Sequence, residues 1–505
     1  MADNHAKTAL FLCKCGTNLS SCVDLDALEQ WARTRDDVDV VACHNLLCSP
    51  DGAKFFKDTL AEHNPGHVVV AACSPKMHEK TFRGLAEEAG VNMGCVHMAN
   101  IREQCGWVTP DMIQATEKAD RLIAAALHRV QLSGHLARQT MACVCDVLVV
   151  GGGIAGIEAA LMAARAGKHV YIVERDIALG GEVAKTEEIA PKMECGPCLL
   201  APRLAEVRDN PNITVFSNAE IVEAKGFYGN FTVTVKKRAR YVEDSCIGCE
   251  ACFEVCPVEA PNAFHLGLGN RKAIHTLFIG AVPAAASIDA DRCLHFTDGS
   301  CEACVEACPF GAVNFAQQDE TIEVHVGAVI VATGAMPNNP GAIESLGYGT
   351  IENVYTLPEF ERLASSNGPT GGAVQLRNGT KPASVAVIHC AGSLQDGGLA
   401  YCSSTCCLGA MKVGELLRHQ VPDAAVVNVH GDIVMTGPAE HAFLRKQREA
   451  GTRFVACRDL TSVRLTQNGD QIRVSGGGFD PFDADMVVLA TGKRPASGTQ
   501  ALADL

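Results

Sequence analysis

The sequence predicts an α/β protein built on parallel sheets, with a small N-terminal α/β domain, two dinucleotide-type halves, and a cysteine-rich module interrupting the first half. Three observations predict it. Short β-branched runs alternate with helical stretches along the chain. A strand at 144–150 runs through the turn GGGIAG into a helix. The tripeptide ATG recurs at 332–334 and 490–492, each time after a buried apolar strand.

Composition sets the bounds. The chain has 505 residues, which suggests about three domains. Its 58 acids against 43 bases give a formal charge of −15, against the basic face that nucleic acid or an anionic membrane would need. No apolar run is long enough for a spanning helix, and the opening MADNHAKTAL has no leader pattern, so a cytoplasmic protein is expected. The outlying number is 25 cysteines. In a reducing compartment, thiols in such numbers point to metal rather than to disulfides.

In chain order, residues 1–140 form the first domain. Strands are expected at 8–13, 38–43 and 67–73, helices at 24–34, 52–63, 78–90 and 111–132. A βαβ unit follows, with strands 144–150 and 169–175 around the helix 157–167, opening a first half at 144–240. Cysteines then crowd 241–320, an expected insertion, and the first half resumes over 321–383 with the strand at 327–337. The polar, Gly/Pro-rich run 363–384 reads as a linker. The second half, 384–505, has strands expected at 384–390, 424–431, 452–459 and 485–492, and helices at 411–420 and 439–451.

The insertion reads CIGCEACFEVCP (246–257) and CLHFTDGSCEACVEACP (293–309). The first run has the C-x2-C-x2-C-x3-C-P spacing of bacterial ferredoxins, in which three thiolates curl round one 4Fe–4S cluster and the fourth ligates the other. One cluster is therefore assigned to Cys246, Cys249, Cys252 and Cys308, the other to Cys293, Cys301, Cys304 and Cys256. Structural zinc or a disulfide knot are the competing readings. The seven-residue gap after Cys293 departs from the usual two.

In GGGIAG, Gly151 makes the tight turn, Gly153 lets the backbone approach a pyrophosphate, and Gly156 lets helix pack on strand. Glu174, 18 residues beyond Gly156, stands where an acid binds a ribose hydroxyl. An acid there favours FAD or NAD over NADP. The block VER-x4-GG, with Arg175 and Gly181, resembles FAD-binding halves, so FAD is expected, with Thr333 and Gly334 of the first ATG as further contacts. The second half has no such glycines after its first strand. It has HCAGSLQDGGLAYCSSTCC instead, whose Cys390, Cys402, Cys406 and Cys407 suit a further 4Fe–4S cluster or, alternatively, a thiol pair or packing. Lys412 could place a cation beside a flavin or simply face solvent. Cys13, Cys15, Cys22, Cys43, Cys48 and Cys73 gather near strand ends of the first domain, candidate ligands for one more cluster, with Cys95 and Cys105 as weaker donors. Cys195-Gly-Pro-Cys198 reads either as a dithiol facing the flavin or as a turn.

Taken in order, FLCKCG, VVVAACSPKMHEKTF, MANIREQCGWV, the glycine fingerprint, the two-cluster insert and YCSSTCC resemble the flavin-containing A subunit of heterodisulfide reductase over nearly the whole chain. The resemblance implies FAD in a thioredoxin-reductase-like fold flanked by iron–sulfur clusters, with Cys390, Cys402, Cys406 and Cys407 binding a cluster near the flavin. It implies an electron-transfer hub of an anaerobic complex, bifurcating in several members. Implied partners are a catalytic module resembling the B and C subunits or benzoyl-CoA reductase, a hydrogenase, formate dehydrogenase or NADH module, and ferredoxin. Long members continue past ATGKRP (490–495) with a segment closing over the FAD and a second ferredoxin domain, so a partner completing the flavin site is expected. The alternatives are a stand-alone FAD-dependent ferredoxin:NAD(P) or disulfide oxidoreductase, and a cluster-holding scaffold without a working flavin.

Overall fold

The computed structural model describes residues 6–137, 139–395 and 398–505, in two compact units, 1–141 and 142–505. Residues 1–5 of the opening run, and Asp396 and Gly397 within the third cysteine run, lie outside the described residues.

The first unit holds four parallel strands in the order Val40–His44, Thr8–Cys13, His67–Ala72, Val96–Asn100. Its helices start where side chains satisfy free N–H groups. Asp24, Ser49, Ser74 and Asp111 cap Leu25–Arg33, Pro50–His63, Pro75–Glu88 and Met112–Gln131. Phe11 of the central strand packs on Phe56, and Phe56 on Phe82, all three buried. Apolar runs predict only three of these strands. The fourth, Val96–Asn100, has no continuous apolar run, because His97 and Met98 are only half-buried.

The second unit has two parallel sheets. The first runs Ala328–Val331, Val147–Val150, Val170–Glu174, Ile213–Ser217. Beside it stands an antiparallel sheet of Ala219–Phe227, Asn230–Lys237 and Glu320–Val326, whose alternating, half-polar strands do not stand out in the sequence. Lys237 pairs with Glu320, so the cysteine-rich stretch leaves and re-enters this sheet at one point. Arg240 fixes its base. The guanidinium is buried and donates to Ala285 O at 2.9 Å, to Ser217 Oγ at 2.6 Å and to Ile177 O.

The second sheet runs Val354–Thr356, Met486–Leu489, Ser384–Ile388, Ala425–His430, Arg453–Ala456, all parallel. Helix Cys406–Gln420 starts five residues earlier than expected, so the paired cysteines belong to its first turn. The 327–337 run is broken. Only Ala328–Val331 joins the first sheet, while Ala335–Pro337 pairs with Lys493–Pro495 and ties the two halves together. The expected linker also contains structure, since helix Leu357–Ala364, closed by a Thr356–Glu359 capping box, overlaps its start. Among the described residues no helix is long and apolar enough to cross a membrane.

Candidate functional site: a glycine loop and three cysteine groups

At the end of Val147–Val150 the chain turns at Gly151, whose φ of +107° disfavours any side chain. A Cβ there would stand 2.3 Å from Ala332 O, and one on Gly156 would stand 1.9 Å from Gly151 O. Gly153, by contrast, caps helix Ile154–Arg165 with nothing nearer than Gly181 Cα at 3.9 Å from its would-be Cβ. The loop is thus closed on the sheet side and open over the helix N-terminus, the cradle a pyrophosphate needs. Glu174 accepts from the Gly152 N–H at 2.6 Å and from the Asp176 N–H at 2.8 Å. Burial raises its pKa in spite of those two N–H groups. Gly151, Glu174, Arg175 and Thr333 line one cleft of about 720 Å³ together with Gly498 and Leu502. Two of them bond across it to the 497–499 turn: Arg175 Nη1 donates to Ser497 Oγ at 2.7 Å, and Thr333 Oγ1 lies 3.1 Å from Thr499 Oγ1. Gly334 does not line the cleft; its carbonyl accepts from the Ala496 N–H at 3.3 Å.

In the insert, Cys246, Cys249, Cys252 and Cys308 surround one hollow of about 310 Å³. As a thiol, Cys252 is pushed up to about 12, by burial first and by Cys246, Cys304 and Cys308 beside it. Cys304 is pushed up to about 11 by burial, with Cys293, Cys301 and Cys256 around it. The long gap after Cys293 is filled by the short helix Leu294–Asp298, which turns back at Gly299 and leaves Cys293 packed in the same core as Cys304. Among the described residues no three such side chains converge on a single-ion site; the cysteines ring a wider space.

The third group also comes together. Cys390, with φ of +50°, has Cys407, Cys402 and Cys406 around it; burial first, then those sulfurs, push its thiol up to about 11. Burial raises Cys406 and Cys407 as well, against the Gly492 N–H at the former and the Val434 N–H at the latter. Cys406 lines a second cleft, of about 870 Å³, with Glu182, Lys185, Glu361, Lys412 and Thr491. Lys412 does not face solvent. Its Nζ sits 2.5 Å from Glu361 Oε2 and donates to Glu188 O at 2.8 Å, and both charged side chains are nearly buried. Sequence reasoning misses Glu361. In LPEFERLA nothing sets it apart from Glu359 and Arg362 beside it, and only the fold turns it inward. Gly180 bridges to Gly153 of the glycine loop, and Glu182, two residues on, lines the second cleft.

In the first unit, Cys13, Cys15, Cys48 and Cys73 act on one another electrostatically at the C-terminal ends of its strands. Burial raises Cys13 and pushes Cys73 up to about 11, and Arg102 Nη1 donates to Cys15 Sγ at 3.2 Å. Cys43 faces Glu29 instead, and Cys105 donates to Ala115 O. Cys195 and Cys198 form a disulfide at the start of helix Gly196–Asp209.

Comparison with known proteins agrees with these features. Residues 146–193 match the model of FAD dependent oxidoreductases, and residues 245–312 match that of the 4Fe–4S dicluster domain. The chain is 38% identical over 514 residues to the A 2 iron-sulfur subunit of CoB–CoM heterodisulfide reductase from Methanopyrus kandleri, covering 100% of this chain and 78% of that protein. It is 38% identical to the A subunit of the H2:CoB–CoM heterodisulfide,ferredoxin reductase of Methanothermobacter marburgensis, over 98% of this chain and 76% of the relative. Lactococcus lactis thioredoxin reductase overlaps 71% of this chain and 80% of its own, at 13% identity and a TM-score of 0.35. The chain belongs to the family of the iron–sulfur A subunits of heterodisulfide reductase, which are FAD and iron–sulfur oxidoreductase components.

Proposed function

We propose that this chain is the flavin-bearing electron hub of an anaerobic, cytoplasmic complex, relaying electrons between a donor module and a catalytic module. One observation carries the reading: Cys406, of the third cysteine group, and the Lys412–Glu361 pair line one cleft with Glu182, two residues beyond the Gly180 that bridges to the glycine loop. FAD, when bound, exchanges electrons in pairs, and the clusters pass them singly.

The residues fit that group. Gly151, Gly153 and Gly156 shape the phosphate cradle, and Glu174 offers the ribose an acceptor; Arg175 and Thr333 line the same cleft, Gly181 lies against Gly153, and Gly334 stands outside the cleft, bonded to Ala496. Lys412, nearly buried, is fixed in that cleft by Glu361 and the Glu188 carbonyl. Beside a bound flavin its ammonium would offset negative charge on the ring only to the extent that Glu361 does not already balance it. Cys246, Cys249, Cys252 and Cys308, then Cys293, Cys301, Cys304 and Cys256, would hold the insert's clusters. Cys390, Cys402, Cys406 and Cys407 would hold a third, and Cys13, Cys15, Cys48 and Cys73 a fourth.

The partners we expect are a heterodisulfide-reductase-like or benzoyl-CoA-reductase-like catalytic module, a hydrogenase or dehydrogenase module, and ferredoxin. Bifurcation belongs to the same proposal. So does the division into segments 1–140, 144–240, 241–320, 321–383 and 384–505. The stand-alone NAD(P)H reductase is the second reading, and the Cys390 turn counts against it, since no glycine loop follows Ser384–Ile388. Anaerobic isolation of the native complex tests both. Flavin, about twelve or more irons per chain and co-purifying catalytic subunits are expected. A solitary chain that oxidises NAD(P)H unaided would establish the second reading instead.

A further inference from the structure

Of the 25 cysteines, 23 are free; the one disulfide among the described residues joins Cys195 to Cys198. None of the cysteine groups described above uses it. Its setting has three features. Cys195 caps the fourteen-residue helix Gly196–Asp209, and its sulfur accepts from the Cys198 N–H at 3.3 Å. Cys198 is exposed while Cys195 is half-buried. The pair also closes the strand that holds the buried ion pair. Cys195 is paired with Glu188, whose carbonyl receives Lys412 at 2.8 Å. The Gly196 N–H donates to Glu187 O at 2.9 Å, and the Glu187 N–H donates to Glu361 Oε1 at 2.8 Å. There is no slack in this link, because a Cβ on Gly196 would stand 2.3 Å from Thr186 O.

We infer that Cys195–Cys198 is a redox-active disulfide, reduced by exchange with an external dithiol, and that its state is transmitted through Glu187 and Glu188 to the Glu361–Lys412 pair. A donor thiolate attacks the exposed Cys198 sulfur, the S–S bond breaks, and Cys195 leaves as a thiolate. A helix N-terminus and a backbone N–H lower the pKa of such a sulfur, which makes it the better leaving group. The donor's second thiol then displaces Cys198 from the mixed disulfide. Two electrons and two protons pass from the donor, which becomes a disulfide, to the cysteine pair. Breaking the S–S bond frees the first turn of the helix, and with it the peptides that hold Glu361 and Lys412.

The test uses the full chain, purified anaerobically with its flavin and clusters, and equilibrated in mixtures of reduced and oxidised dithiothreitol. Differential alkylation is read on the peptide carrying both cysteines, and amide hydrogen exchange on residues 186–198. Both cysteines are expected to be blocked without dithiol and to become labelled together as one two-electron step. The Glu187 and Gly196 amides are expected to exchange about tenfold faster once reduced. Cys198→Ser leaves Cys195 labelled at every ratio, with iron content unchanged. Free thiols before dithiol is added, a pair that no dithiol reduces, or loss of iron in Cys195→Ser would each overturn the redox assignment. Unchanged exchange at Glu187 would overturn the link to the ion pair.

Discussion

The two parallel sheets of residues 142–505 are built alike and end differently. In each, the residue after an ATG strand donates back to the last residue of the neighbouring strand: Ala332 N–H to Val150 O at 2.8 Å, Ala490 N–H to Ile388 O at 2.9 Å. Beyond Val150 come three glycines and, at once, the N-terminus of helix Ile154–Arg165. Beyond Ile388 come His389 and Cys390, and among the described residues no helix starts until Cys406. Open glycines leave a helix N-terminus free for a phosphate; cysteines on the turn and on the delayed helix converge around Cys390 instead. In the proposed reading, the same strand ends serve a nucleotide in one half and a sulfur-rich site in the other.

The largest break in this comparison is expected from Gly156→Val. Its Cβ would meet Gly151 O at 1.9 Å, so the first turn cannot keep its shape. Flavin per chain, read by absorbance after anaerobic purification, should fall more than tenfold while the insert keeps its iron. Retention of full flavin would mean that the loop is not the cradle.

Next in size is the ion pair. Lys412→Met leaves the Glu361 carboxylate nearly buried beside the Glu187 N–H alone. Loss of about 3 kcal/mol is expected in denaturant melts of the apoprotein. The double change Lys412→Met with Glu361→Leu should recover most of it. Equal losses in single and double variants would show that the two side chains are not coupled.

A smaller effect is expected from Glu174→Gln, which keeps an acceptor for the Gly152 N–H but gives up the charge and the second acceptor, for the Asp176 N–H. FAD affinity should drop about tenfold, or about 1.4 kcal/mol, in equilibrium titration. One further effect concerns the insert alone. Burial first, then Arg271, push His275 from 6.5 down to about 4. Its neutral form is thus favoured in the fold, and the unfolded chain binds the extra proton. Stability conferred by His275 should be full above pH 6.5, fall as pH drops towards about 4, and level off below. His275→Gln should flatten that slope in acid melts.

Much of this is legible in the sequence, because spacing and glycine conformation act locally. The insert's eight candidate cysteines, the glycine loop and the third cysteine group follow from residues within short windows. The antiparallel strands Ala219–Phe227 and Asn230–Lys237 are hard to separate by pattern, because both present polar side chains on their exposed faces. The helix start at Cys406 is hidden by a run without apolar periodicity. Glu361 and the partnership of Lys412 have no local signal at all. They depend on a short helix, a hairpin strand and a second helix meeting across 224 positions of sequence.

The most direct test of the central contrast, a cluster where the second sheet would otherwise cradle a nucleotide, is iron and flavin counted together in the anaerobic full chain and in its Cys406→Ser variant. The account predicts about twelve or more irons in the parent, about four fewer in the variant, and the same FAD in both. Unchanged iron in the variant, with NAD(P)H oxidised by the chain alone, would contradict it.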